Sequence, residues 1–118
     1  MTEEERERGR LRYIQASITR IEEYTHGDQD VFFSEPIVQD AVLRRLETLA
    51  DATAKLSDAL QSRHPEIPWR RVYGFRHIAA HAYEALDLRR VWEIVEDYLP
   101  ALKTAVDQDL AESSDEDQ

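Results

Sequence analysis

The stretch LRYIQASITRIEEYTHG, residues 11–27, decides the fold class. Leu11, Ile14, Ile18 and Ile21 recur at intervals of three and four, with Tyr24 or Thr25 following, and polar residues fill the other positions. That spacing puts the apolar side chains on one face of an α-helix, and no strand would do so. Gly27 is a natural stop, because glycine adopts the left-handed backbone of a helix end without cost. A helix over about 4–26 follows. The same period recurs downstream. Ile37, Ala41, Val42, Leu46, Leu49, Ala52, Leu56 and Leu60 predict a second helix over about 36–62. At ~1.5 Å per residue it would be the longest element, about 40 Å. Ser34 is placed to cap it and Pro36 to fill its first turn, where no amide donor is needed. Residues 27–35 read as a connector whose two phenylalanines, Phe32 and Phe33, tuck onto the core.

His64-Pro65-Glu66-Ile67-Pro68 breaks the pattern, since each proline disfavours helix in the residue before it. A third helix over about 68–84 follows, then one from Asp87 and Leu88 with Val91, Trp92, Val95 and Leu99 inward. Pro100 bends or restarts the chain, and a last segment reaches about 111. Alternating patterns are absent throughout. The expected fold is all-α, an antiparallel bundle of four to five helices in one domain over 1–111. Residues 112–118, ESSDEDQ, hold no large apolar side chain and are expected to form a disordered acidic tail.

Composition narrows the function. The 118 residues contain no cysteine, so disulfides and thiol chemistry are excluded. No apolar run approaches the ~20 residues of a membrane span, and the charged start lacks a secretory pattern. A cytoplasmic protein with no membrane partner is expected. Net charge is −10, from 15 basic and 25 acidic side chains, against general nucleic-acid binding. The distribution is uneven, however. Residues 61–90 carry Arg63, Arg70, Arg71, Arg76, Arg89 and Arg90 against three acids, a net of +3. The remaining nine basic and 22 acidic side chains leave −13 for the rest. An anion such as phosphate would be drawn to that window. Alternatively, its arginines are ordinary surface ion pairs.

Within the window lies GFRHIAAHAYEAL, Gly74–Leu86. His77, His81 and Glu84, spaced four and three, share one helical face, while Arg76 and His81 lie about 140° apart. Three chemistries fit these residues. The first is structural: satisfied polar groups beside a core. The second is a metal face of His77, His81 and Glu84, although the His-Glu-x-x-His arrangement of zinc proteases is absent. The third is phosphoryl transfer, with a histidine moving the proton of an RNA 2′-hydroxyl and an arginine stabilising phosphate charge. Arg76 and His81 would be the minimal set. A two-fold dimer would supply a second histidine as the matching acid.

Arg76-His-Ile-Ala-Ala-His81-Ala-Tyr83 has the form R-x-x-x-x-H-x-Y, which resembles the signature of the HepT-like toxins of the HEPN (higher eukaryotes and prokaryotes nucleotide-binding) superfamily. Ile21–Gly27, Pro36–Glu47, Ile67-Pro-Trp-Arg70 with Gly74-Phe-Arg76, Val91–Val95 and Leu99-Pro100 extend the resemblance over most of residues 10–106. It implies a homodimeric all-α bundle acting as a metal-independent, cofactor-free endoribonuclease at a dimer cleft. By position, Arg76 and His81 would be catalytic; His77 would support the cleft or add a second acid/base group, and Arg70 and Arg71 of the basic window are candidate RNA phosphate contacts. The resemblance further implies a minimal nucleotidyltransferase (MNT) antitoxin that silences the toxin by transferring AMP to Tyr83. His77 stands where the family often has asparagine, and Glu47–Thr53 lacks a glycine common there. A non-catalytic subunit that binds nucleotide or a nucleotidyltransferase partner is the alternative function, and a purely structural dimer a third.

Overall fold

The computed structural model describes residues 1–85 and 87–116, excepting the side chains of Tyr83, Ala85 and residues 113–116. Seven helices occur among the described residues: α1 (Glu3–Thr25), α2 (Gln29–Ser34), α3 (Pro36–Ala54), α4 (Asp58–Ser62), α5 (Trp69–Ala85), α6 (Leu88–Asp97) and α7 (Leu99–Glu116). The fold is all-α, as the periodicity requires, with two short helices beyond the expected four to five. None of the seven is long and apolar enough to cross a membrane.

The first helix forms where the sequence puts it. Thr2 caps α1 by accepting from the Glu5 amide at 3.1 Å, and Glu3, Glu4 and Glu5 occupy the first turn, where the helix dipole favours acids. At the other end the chain is left-handed at both His26 (φ 54°) and Gly27 (φ 68°), so the stop begins one residue before the glycine. Leu11, Ile14, Ile18 and Ile21 are buried, as their spacing demands.

Three local expectations are corrected. The 27–35 connector is itself mostly helical: Asp28 caps α2, and Gln39 reaches back from α3 to donate to the carbonyls of Phe32 and Phe33. Ser34 does not cap α3. It ends α2 and donates to the Asp30 carbonyl at 2.6 Å, while Glu35 takes the cap position without a side-chain bond and Pro36 opens the helix. The long helix over 36–62 is two helices, leaving α1, at 23 residues, the longest. The break at Lys55–Ser57 is held open by polar compensation. Ser57 caps α4 through the Leu60 amide, Glu7 accepts from the Ser57 amide at 2.6 Å, and Arg10 donates to the Lys55 carbonyl at 3.3 Å. Leu56 and Leu60 stay buried across it, so the apolar period survives although the helix does not.

The core is one cluster drawn from all seven helices. α3 lies between α1 and α5, and α7 returns along α1. Phe32 is fully buried and stacks on Trp92 at 5.5 Å between ring centroids, tying α2 to α6. The break before α5 is anchored twice. The Trp69 indole N–H donates to the Gln61 and His64 carbonyls, both at 3.1 Å. Buried Asp109 on α7 accepts from Arg63 at 2.5 Å and pairs with His64. The hydrogen bond to Asp109, with its charge, raises the Arg63 pKa above the ordinary guanidinium value. Pro100 restarts the chain as α7, whose backbone is helical to Glu116. Asp117 and Gln118, the end of the acidic tail, lie outside the described residues.

Candidate active site

α5 carries the site because its two sides differ. Val72, Phe75, Ala79 and Ala82 recur at three and four and face the core. Ala79 and Ala82 are small, which lets α5 approach α3 closely. What remains on the outer surface is Arg70, Arg71, Arg76, His77, Ala80, His81 and Glu84, all exposed. These polar groups are therefore not core filler.

Arg76 and the two histidines project in different directions. Arg76 reaches toward α3, where its guanidinium lies 3.4 Å from the Asp51 carboxylate. His77 lines a groove between α5 and α6. His77 and His81, one turn apart, bring their ring centroids to 4.1 Å at an interplanar angle of 50°. His81 Nδ1 sits 3.4 Å from Glu84 Oε2. In the tautomer that carries its proton on Nδ1, toward that carboxylate, Nε2 is the acceptor of the ring, the atom that would take a proton. Among the described residues, no group of three or more histidine or carboxylate side chains is placed to hold a metal ion. No direct contact joins Arg76 to His81 within the chain, as the 140° separation anticipates.

The arginine-rich window divides. Arg63 and Arg76 pair with Asp109 and Asp51. Arg71 instead donates to the neutral Tyr98 hydroxyl at 2.8 Å, and Arg89 lies over the Phe33 ring at 5.5 Å. Arg70 and Arg90 make no ion pair among the described residues. Outside the window, Arg6 and Arg10 pair with Glu3, Arg20 with Glu23 and Arg44 with Glu47. Thus, among the described residues, four of the six cations in the window are not paired with an acid, and the simple ion-pair account covers two.

Tyr83 lies in α5 two residues beyond His81, and its side chain is outside the described residues. Two groups near the site, Asp51 and Tyr98, have no signature in the sequence, and Arg90 is legible only as one charge of the basic window. Asp51 comes from another helix, and its meeting with Arg76 has no local pattern. Tyr98 and Arg90 reach the site only because α6 folds back beside α5. Glu84 is legible through its spacing from His81, but as a metal ligand rather than an orienting carboxylate.

A family model described as "Ribonuclease HepT-like" matches residues 14–108, which include every candidate residue named above. A Thermococcus cleftensis protein named "Probable ribonuclease HepT" is 35% identical over 94 residues, covering 79% of this chain and 86% of that protein. A Methanocaldococcus jannaschii protein, named for both gamma-glutamylcyclotransferase and RNase functions, is 36% identical over 97 residues. That match covers 81% of this chain, which spans only 44% of the longer protein. A further Methanocaldococcus jannaschii protein named as an RNase is 29% identical over 80 residues, 68% of this chain and 73% of its own. No solved structure matches the chain.

Proposed function

Because the chain belongs to the HepT-like ribonuclease family, we propose that it is an endoribonuclease that cuts RNA with Arg76 and His81, without a metal ion. The observation that carries this reading is the state of His81. Its ring is half-exposed, its Nδ1 is turned to Glu84, and among the described residues no hydrogen bond engages its Nε2. In the proposed reaction Nε2 of one His81 takes the proton of the RNA 2′-hydroxyl. The freed oxygen attacks the adjacent phosphorus, the bond to the 5′-oxygen breaks, and that oxygen is protonated as it leaves. A 2′,3′-cyclic phosphate and a 5′-hydroxyl result, with no oxidant, cofactor or water consumed. Arg76 stabilises the charge that builds on the phosphoryl oxygens.

One imidazole cannot hold the proton of the attacking group and also supply the leaving group's proton in the same step. Arg76 also points away from His81 in the single chain. Both constraints are met by a two-fold homodimer whose facing α5 helices pool two arginines and two histidines in one cleft. His77, in ring contact with His81, would support the imidazole's orientation. Arg70 and Arg71, at the start of the same helix, would contact RNA phosphate.

The same reading makes the protein the toxin of a toxin–antitoxin pair with an MNT antitoxin. Silencing would occur by attack of the Tyr83 phenol oxygen on the α-phosphorus of ATP, with pyrophosphate leaving and the phenol proton lost. An adenylate two residues from His81 would put bulk and negative charge where the RNA phosphate must sit.

The test is RNA cleavage by the purified protein in the presence of EDTA. Wild type should cut, and Arg76→Ala and His81→Ala should each lose ~10²-fold or more while the dimer persists. Unchanged cleavage in both variants would remove the site. Loss in EDTA with rescue by zinc would restore the metal face of His77, His81 and Glu84. Binding without cutting by the wild type would favour the non-catalytic alternative. Intact mass after incubation with the antitoxin and ATP checks Tyr83, where Tyr83→Phe should abolish the adenylate increment.

A further inference from the structure

We infer that the groove between α5 and α6 holds the RNA nucleotide adjoining the cut bond, with its phosphate on Arg71 and Arg90. The inference rests on the ribonuclease reading and adds to it where the strand lies beyond the reacting phosphate. The groove has a volume of about 490 Å³ and is lined by Arg71, Gly74, His77, Arg90, Glu93 and Tyr98, among others. That volume lies within the range of sites that enclose a small ligand.

The electrostatics favour an anion. Arg71 is held by the Tyr98 hydroxyl, which fixes its guanidinium without cancelling its charge. Arg90 lines the same groove from α6 and makes no ion pair among the described residues. Two arginines lining one groove suit a phosphodiester backbone, whose oxygens the planar guanidinium fork can bind in pairs. The hollow between the start of α1 and α4 is the contrast. It has a similar volume, about 500 Å³, but its charged lining is Glu4, Glu5, Glu7 and Asp109 against Arg8 and Arg63, an excess of acid, and Arg63 is paired with Asp109. A phosphate would be repelled there.

The groove also leads to the chemistry. His77 lines it, and the His77 ring touches that of His81. A strand with one phosphate at His81 therefore has its neighbouring nucleotide directed past His77 between α5 and α6. Phe75 and Tyr98, packed edge to face at 5.4 Å, give this part of the groove an aromatic floor. Glu93 offers a hydrogen-bond acceptor, suited to the amino or imino N–H of a base rather than to phosphate. Gly74 keeps the middle of the groove open, and a Cβ built there would meet nothing within 4 Å.

That opening provides a steric test independent of charge. Equilibrium binding of a labelled oligoribonucleotide is measured on the full-length His81→Ala protein, so that cleavage does not intervene. Into that background go Gly74→Leu, which fills the groove, and Arg71→Gln with Arg90→Gln, which removes its cations. Arg44→Ala, on α3, serves as control. Thermal unfolding verifies that each variant is folded, and the glutamine pair stands if the leucine variant is not. The expected result is about tenfold weaker binding for Gly74→Leu, and about tenfold for each arginine removed. The salt dependence should flatten by ~0.7 in log–log slope for each phosphate that is no longer neutralised. Arg44→Ala should bind as the parent does. Undiminished binding by the groove variants, while wild type still cuts RNA, overturns this inference and leaves the ribonuclease reading intact. Loss of antitoxin binding with RNA binding unchanged overturns it too, and makes the groove a protein-docking surface. If the parent His81→Ala protein binds no RNA and wild type cuts none, both readings fall together.

Discussion

Arg76 on α5 is held 3.4 Å from Asp51 on α3, with both side chains about half or more exposed to solvent. An exposed pair of this kind stabilises by less than ~1 kcal/mol, so it parks the guanidinium rather than fixing it. Asp51 competes with RNA phosphate for Arg76. Asp51→Asn should therefore leave the unfolding free energy within ~0.5 kcal/mol of wild type and raise kcat/KM for RNA cleavage by about two- to fivefold. Chemical denaturation and initial rates on one RNA substrate check both. A drop in activity would mean that Asp51 positions Arg76 for catalysis.

A shared cleft makes a sharper prediction. Arg76→Ala and His81→Ala homodimers should each be inactive, because each lacks one group at every site. A cleft that needs both histidines is broken by a single His81→Ala protomer. Co-refolding wild type and His81→Ala in equal amounts should therefore leave about a quarter of the activity of the same amount of wild-type dimer, since only about a quarter of the dimers keep both histidines. Retention of about half, with mixed dimers present by mass, would place both groups in one chain's own site.

Glu84 touches His81 through a 3.4 Å contact, and its own side chain is 80% exposed. Water screens such a contact, so its orienting effect is bounded near ~1 kcal/mol. Glu84→Gln should lower kcat by less than about tenfold and leave KM unchanged. A loss as large as that of His81→Ala would show that the carboxylate is sequestered in the assembled dimer.

Helical periodicity is a local property, and that is why the fold class is readable from the sequence. Leu11, Ile14, Ile18 and Ile21 declare one helix without reference to anything else. The break in the second long helix is harder to see. Leu56 and Leu60 continue the apolar period across it, and that continuity masks the Ser57-Asp58 cap signal. Glu7 and Arg10 stabilise the break from α1, about fifty residues away in sequence. The motif residues Arg76, His81 and Tyr83 are legible as a spacing. Asp51 and Tyr98 are not, because only the packing of α3 and α6 on α5 brings them near, and the same packing places Arg90, which the sequence shows only as part of a basic window.

The Asp109 tie tests how the site is held from behind. Asp109 and His64 are both buried, 3% and 7% exposed, and Arg63 closes the cluster from the surface. This ties α7 to the turn that launches α5. Removing one partner of a buried polar cluster leaves the others without their hydrogen bonds, which costs more than the pair itself contributes. Asp109→Ala should destabilise the fold by about 3 kcal/mol, whereas Arg63→Ala, losing a half-exposed partner, should cost less than ~1.5 kcal/mol. Urea unfolding of both variants gives the comparison. Because the turn also carries the Trp69 anchor, residual RNA cleavage by folded Asp109→Ala should fall as well, with α5 no longer fixed at its start. Equal and small losses for both variants would mean that the turn is secured by Trp69 and the core alone.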